Sequence, residues 1–337
     1  MNPRCAYRGR LGWVVLAALV SAAAPAAEPP RPLDPALAGA FAARVTERHR
    51  LDRKWVDGVL RQARVLPDVL AAMQRPAESK PWHQYRPIFV NERRIADGAA
   101  FWKAAGDEIA RAADRFGVDP AVVVAIIGVE TLYGQRAGST RVVDALVTLG
   151  FHYPRRAEFF QRELEEFLVL AREDGVDPLR TKGSYAGAMG IPQFIPSSYR
   201  AYAVDFDADG RRDLIGSRAD AIGSVASYLA EHGWRRGEPV VVPAKVRGEA
   251  WKPLAAAGSK PSVRLSEARR LGVAPSSAVA GDPSVALVEL DAEAGPEHWL
   301  GLQNFYVVTR YNRSQLYAMA VVQLAEAIRA RTRKGGG

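Results

Sequence analysis

The sequence predicts an α+β protein that is mainly helical, with a small β unit inserted late in the chain. Three observations carry this expectation. The stretch 119–134, DPAVVVAIIGVETLYG, is apolar all round between helix-start and helix-stop residues, the mark of a buried helix. Flanking stretches repeat apolar residues three and four apart, as amphipathic helices do. From about Glu238 the pattern changes to short β-branched runs separated by glycine and proline, which read as strands.

The chain has 337 residues, 48% hydrophobic and 25% charged, the balance of an ordinary globular protein with room for more than one packed unit. Its start reads as an export signal over 1–26. Arg4, Arg8 and Arg10 precede an apolar run, 11–22, that is short for a membrane span, and Ala24-Pro25-Ala26 offers a cleavage site. Cys5, the single cysteine, would leave with that signal, so the mature protein is expected to lack disulfides and any lipid-attachable thiol. Losing three arginines and no acids takes the formal charge from +9 to +6. A basic exported protein suits an anionic envelope polymer, and no nucleic-acid-binding motif is visible.

In chain order, 27–35 is proline-rich and reads as a linker. Residues 36–73 show helical spacing, with Leu37, Phe41 and Val45, then Val56, Val59 and Leu60, on one face. The aromatic run 82–89, WHQYRPIF, has no period and reads as a packed loop. An amphipathic helix at 99–116 leads into the apolar one, and 141–149 reads as a further short helix. Tyr153-Pro154-Arg155-Arg156 precedes a helix over 157–173, and 219–233 is helical with Ile222, Val225 and Leu229 inward. Strands are expected at 240–242, 262–265, 284–290 and 305–309. A last helix over 314–331, with Leu316, Met319, Val322 and Ala325 on one side, ends in a frayed tail, 332–337.

Asp119 caps the apolar helix, Pro120 fits its first position, and Gly134 is the natural left-handed residue beyond its end. Into this helix the sequence places one acid, Glu130. Low dielectric and the negative end of the helix dipole both disfavour its charged form. A carboxyl kept protonated near neutral pH is a general acid of the kind that cleaves glycosidic bonds. The competing reading is a buried glutamate neutralised by Arg136 or Arg141.

Three further signals stand out. Arg155 and Arg156, adjacent at a helix entrance, suit a substrate carboxylate if they are not merely solvated. The small-residue loop 183–190 allows close backbone approach to a ligand. The run 205–213, DFDADGRRD, matches the first nine positions of an EF-hand calcium loop, with Asp205, Asp207, Asp209, Arg211 (through its carbonyl) and Asp213 as ligands. Gly216 stands at the twelfth position, so Asp220 is the nearest carboxylate to close a structural Ca2+ site.

The segments Val129-Glu130-Thr131-Leu132-Tyr133-Gly134 and Gly187-Ala188-Met189-Gly190-Ile191-Pro192-Gln193-Phe194-Ile195-Pro196-Ser197-Ser198-Tyr199 resemble those of the B-type lytic murein transglycosylases. The segments around Tyr85, Tyr153-Pro154-Arg155-Arg156, Asp220-Ala221-Ile222-Gly223-Ser224 and Tyr311-Asn312 also fit, so the resemblance spans almost all of the mature chain. It implies a lysozyme-like core over 106–237, completed by 298–317 and carrying the loop 205–220. It also implies a helical domain over 36–105 completed by 318–331, and an inserted β domain at 238–297. The implied activity is cleavage of the β-1,4 bond between N-acetylmuramic acid and N-acetylglucosamine, leaving 1,6-anhydro ends. The catalytic acid falls on Glu130, and substrate contacts fall on Tyr85, Ser184, Gln193, Tyr228, Tyr311 and Asn312. Arg155 and Arg156 fall on the peptide-stem pair, and the calcium loop on Asp205 to Asp220. No organic cofactor is implied; the partners are glycan strands and peptide stems, with cell-wall synthases or amidases as companions, in the periplasm without a membrane anchor.

Leu132 departs from the aromatic common at its place in the family. Two rivals remain at this point. A hydrolytic muramidase needs a second acid, Asp144 or Glu173, near Glu130. A catalytically silent peptidoglycan-binding scaffold needs only the groove.

Overall fold

The Pro120–Thr131 helix lies at the centre of the fold, and every residue from Ala121 to Val129 is buried. Helices Glu92–Ala104, Gly106–Phe116, Arg218–Glu231 and Gln315–Lys334 pack around it. A second group builds outward from Val142–His152, which packs on Ala157–Glu173 and Pro67–Gln74, while Pro35–His49 packs on Arg53–Gln62. The computed structural model describes residues 28–74 and 80–334, so the signal reading of 1–26, Cys5 and the last three residues of the tail lie outside the described residues.

A five-stranded antiparallel sheet carries the late part of the chain. Across it run Val263–Arg264, Ser284–Ala292, Gly295–Gly301, Val241–Val246 and Val273–Pro275. Ser284–Ala292 explains its own apolar composition. Val285 and Leu287 face a small cluster with Trp251, Leu254 and Leu265, whereas Val288 and Leu290 face the main core. A strand buried on both faces has no polar alternation to display.

Several elements differ from expectation, each for a visible reason. The 305–309 run is helical, inside Gln303–Tyr311, because Phe305, Val307 and Val308 enter the main core and Asn304 ties down the Arg235 and Glu238 carbonyls. Tertiary packing there overrides β propensity. The aromatic run 82–89 is also a helix, Trp82–Phe89, with Trp82 and Tyr85 buried three residues apart; Pro87 lies in its last turn, where it removes one helical hydrogen bond and helps to end the helix. The 99–116 helix is broken at Ala105, fully buried and non-helical. Strands Val273–Pro275 and Gly295–Gly301, and the short helices Lys252–Ala256 and Leu265–Arg270, had no counterpart in the reading of the inserted unit. The proline-rich 27–35 stretch is not free: Arg31–Pro32 pairs with Arg64–Val65 and Leu33 is buried. The last helix runs to Lys334, past the expected start of the tail. Arg331, Arg333 and Lys334 in its final turn suit the negative end of its dipole.

Candidate active site

The Pro120–Thr131 helix starts as its sequence dictates, with the Asp119 carboxylate accepting from the Ala121 amide at 2.9 Å. The same carboxylate accepts from Arg329 of the terminal helix at 2.6 Å, which clamps the two helices together. The far end is less ordinary. Leu132 and Tyr133 take left-handed backbone, φ 50° and 59°, before Gly134 continues at 88°. Left-handed geometry therefore begins two residues earlier than the glycine suggested. It costs a non-glycine residue on the order of 1–2 kcal/mol, so the surrounding packing must hold it.

Glu130 lies in that last helical turn, and its carboxyl reaches a cavity of about 380 Å³ lined also by Tyr85, Phe89, Val129, Asn312, Ser314, Leu316 and Tyr317. The Tyr317 hydroxyl donates to Oε1 at 2.6 Å. Burial pushes the Glu130 carboxyl up to about 7, and the Tyr317 bond opposes part of that rise. With Oε1 engaged, Oε2 is left to carry the proton. No guanidinium neutralises the group among the described residues: Arg141 is committed to Asp144 at 2.7 Å. Burial and the nearby Glu130 carboxyl together keep the Tyr311 and Tyr317 hydroxyls protonated.

The sequence-derived site residues do not all meet in this cavity. Tyr85, Glu130 and Asn312 line it. Tyr311 stands beside it, its hydroxyl donating to the Pro192 carbonyl at 2.6 Å. Tyr228 is buried behind, donating to the Arg310 carbonyl at 2.7 Å and lying edge-on to Tyr311 at 4.9 Å. Gln193 has left-handed backbone, φ 51°, and its amide nitrogen donates to the Ala137 and Gly190 carbonyls at 3.0 and 2.9 Å. The Ser184 oxygen accepts from the Ala188 amide at 3.0 Å, so it shapes the glycine-rich loop. Arg155 and Arg156 are exposed in the short turn Pro154–Arg156, with Arg156 lying 4.1 Å over the Phe159 ring.

Tyr317 was missed by sequence reasoning. The available signal was a hydroxyl among Tyr317, Val321, Leu324 and Ile328, a buried helical stripe. A tyrosine so placed must find a polar partner in the core. The two acids that a hydrolytic mechanism would recruit lie elsewhere. Asp144 also accepts from the Arg64 amide at 2.8 Å, and Glu173 is paired with Arg200 at 2.8 Å. Among the described residues, Glu130 is the one acid lining the cavity.

The loop that begins at Asp205 gathers Asp205, Asp207 and Asp209, with carboxylate oxygens within 4.8 Å of one another. No basic side chain pairs with them among the described residues. Three hard oxygen donors and uncompensated charge fit a calcium ion. Asp213 and Asp220 fall outside this cluster. Asp213 turns its oxygen onto the Ile215 and Gly216 amides. Asp220, fully buried, accepts from the Phe206 and Asp213 amides, each at 2.7 Å, and from Asp207 at 3.4 Å. It staples the loop from behind, with both oxygens already engaged.

Residues 35–326 match the model of the transglycosylase SLT domain. The chain is 44% identical over 298 residues to the membrane-bound lytic murein transglycosylase B of Escherichia coli (strain K12), covering 86% of this chain and 81% of that one. It superposes on the catenated lytic transglycosylase SltB1 of Pseudomonas aeruginosa with TM-score 0.85 and 47% identity, covering 89% of this chain and 99% of that one. The Escherichia coli transglycosylase Slt35 in complex with calcium gives 0.80 and 42%, over 88% and 93% of the two chains. Pseudomonas aeruginosa SltB3 in complex with NAG-anhNAM-pentapeptide gives 0.78 and 31%, over 87% and 79%.

Proposed function

This chain belongs to the transglycosylase SLT domain family and is a peptidoglycan-cleaving lytic transglycosylase with a lysozyme-like fold, and we propose that Glu130 alone carries its chemistry. The observation behind this reading is a single half-buried carboxyl, held by Tyr317 and opening onto a cavity with no second acid among the described residues. Its role follows from counting protons and bonds. Protonated Glu130 gives its proton to the glycosidic oxygen as the bond to muramic C1 breaks. The substrate's acetamido group stabilises the positive charge that develops there. Glu130, now a carboxylate, removes the proton from the C6 hydroxyl, and O6 closes onto C1. The product is a 1,6-anhydro sugar, no water is consumed, and Glu130 ends protonated for the next turnover.

Tyr85 and Asn312 line the same cavity and serve as sugar contacts. Tyr228, Tyr311, Gln193 and Ser184 act at one remove, through the backbone carbonyls and loops they brace. Positioning of this sort supplies a large share of catalysis. Arg155 and Arg156 are exposed cations available to a stem carboxylate. The relatives' ligands include NAG-NAM-pentapeptide and NAG-anhNAM-pentapeptide, which supports glycan and stem together as the substrate here. A relative is named for murein, the cell-wall polymer, which supports the periplasm as the proposed location. No helix among the described residues is long and apolar enough to cross a membrane.

Mass analysis of digested cell wall tests the assignment. Fragments lighter by one water than hydrolysed ones are expected; hydrolysed ends alone would contradict it. For the loop, Asp205, Asp207 and Asp209 would hold a calcium ion, with the Arg211 carbonyl completing the set; the ion would neutralise their charge and rigidify the turn. Adding calcium to chelator-treated protein is expected to raise its melting temperature while changing activity well below that temperature little. A melting temperature indifferent to calcium removes the metal from this reading.

A further inference from the structure

We propose that Tyr133 is a positioning residue, folding back beneath the catalytic helix to fix where Glu130 sits. It can do so only if Glu130 is the acid of the reaction. Tyr133 follows Glu130 by three residues, and its left-handed backbone sends its side chain back along the helix it has just left. The hydroxyl donates to the Arg94 carbonyl at 2.7 Å, in the neighbouring Glu92–Ala104 helix, and the ring lies 5.5 Å from that of Phe101.

Two glycines mark the path. A Cβ on Gly128 would stand 2.5 Å from the Tyr133 hydroxyl and 2.6 Å from the ring carbon bearing it. A Cβ on Gly98 would stand 2.4 Å from the same hydroxyl. Both glycines lie inside helices, where the residue weakens the element that holds it. The passage of Tyr133 between the two helices accounts for Gly128, and together with Ile328, 2.7 Å from the same Cβ, for Gly98.

Arg94 closes the circuit. Its guanidinium donates to the Gly128 carbonyl and lies 5.3 Å over the Phe89 ring, which lines the catalytic cavity. The last turn of the helix is therefore held at Gly128 and again at Tyr133, on either side of Glu130. The charged groups facing Tyr133 are Arg94 and Asp97; Glu130 faces the titratable but neutral hydroxyls of Tyr311 and Tyr317. None of these supplies a competing ion pair to the acid. Releasing the hook frees the helix end, so the carboxyl drifts from Tyr317 and meets more water.

Tyr133→Phe keeps the ring and removes the bond to Arg94. Measured well below its melting temperature, kcat is expected to fall about tenfold with KM within about twofold, short of the roughly hundredfold that an ångström of misplacement costs. The alkaline limb of the pH profile should move to lower pH as Glu130 gains solvent. Gly98→Ala approaches from the other side, pushing away the hydroxyl and the flexible Ile328 side chain, and should show the same pair of changes. A lowered melting temperature with kcat and the alkaline limb unchanged in both variants would overturn the proposal, because a purely structural role produces that result. Glu130→Gln assayed alongside separates the two assignments. An active E130Q defeats the acid itself, whereas an inactive E130Q beside an unaltered Tyr133→Phe defeats only the hook.

Discussion

Glu130→Gln is expected to abolish release of anhydro-ended fragments while making the protein harder to melt at alkaline pH. The loss of activity should reach at least about a thousandfold, since a positioned acid or base contributes roughly 10²–10⁴ and here one group performs both steps. The stability effect follows from the same carboxyl. Folding raises its pKa from 4.5 to about 7. The native state thus holds a proton that the unfolded chain has released, so stability is complete below pH 4.5 and is lost as pH rises through about 7. Moving a pKa by one corresponds to about 1.4 kcal/mol, and the carboxyl opens partly onto the cavity, so the loss is on the order of 2–3 kcal/mol by pH 8. Glutamine keeps an acceptor for Tyr317 and never titrates. Melting curves of the two proteins should coincide near pH 4 and separate by roughly 5 °C at pH 8, with the variant higher. Parallel curves at both pH values would mean that the carboxyl is not held neutral by its surroundings.

Asp220→Ala should be the most destabilising single change in the 205–220 loop, although Asp220 is not one of the three clustered aspartates. Its buried carboxylate accepts the Phe206, Asp207 and Asp213 amides, tying both ends of the loop to the Arg218–Glu231 helix. Alanine leaves those donors without their acceptor at a cost of about 1–3 kcal/mol for each one that stays dry. A total on the order of 3–5 kcal/mol lowers the melting temperature by roughly 10 °C in a chain of this size. Any calcium-dependent gain in melting temperature should vanish with it, because the loop no longer presents its aspartates together. Asp209→Ala, at the exposed rim, should remove the calcium response with a much smaller effect on the calcium-free protein. Equal destabilisation by the two changes would contradict the division of labour drawn here.

The chemistry of the site was legible where a residue's cost is local. An acid within an all-apolar helix is expensive wherever that helix packs, so Glu130 could be singled out from composition alone. The alternating aspartates of 205–213 advertise a loop in the same way. What stayed hidden depends on contacts between distant segments. Tyr317 meets Glu130 across 187 positions, and nothing near either residue announces the pairing. Spacing places Asp220 near the loop, and only the fold shows its oxygens accepting backbone amides of the loop. The 305–309 run carried a strand's composition and became helical because the core accepts its apolar residues from a helix. The left-handed turn at Leu132 and Tyr133 is hidden for a related reason. Its strain is local, while the contacts that sustain it lie in the Glu92–Ala104 helix.

Everything proposed for catalysis depends on one carboxyl being neutral at the pH where the wall is cut. The direct measurement is carbon-13 NMR titration of glutamate-labelled protein, with the Glu130 signal assigned by its absence from Glu130→Gln. A midpoint near 7, coincident with the alkaline limb of the activity profile, is the expected result. A midpoint near 4.5, with activity persisting well above it, would contradict the assignment of Glu130 as the acid.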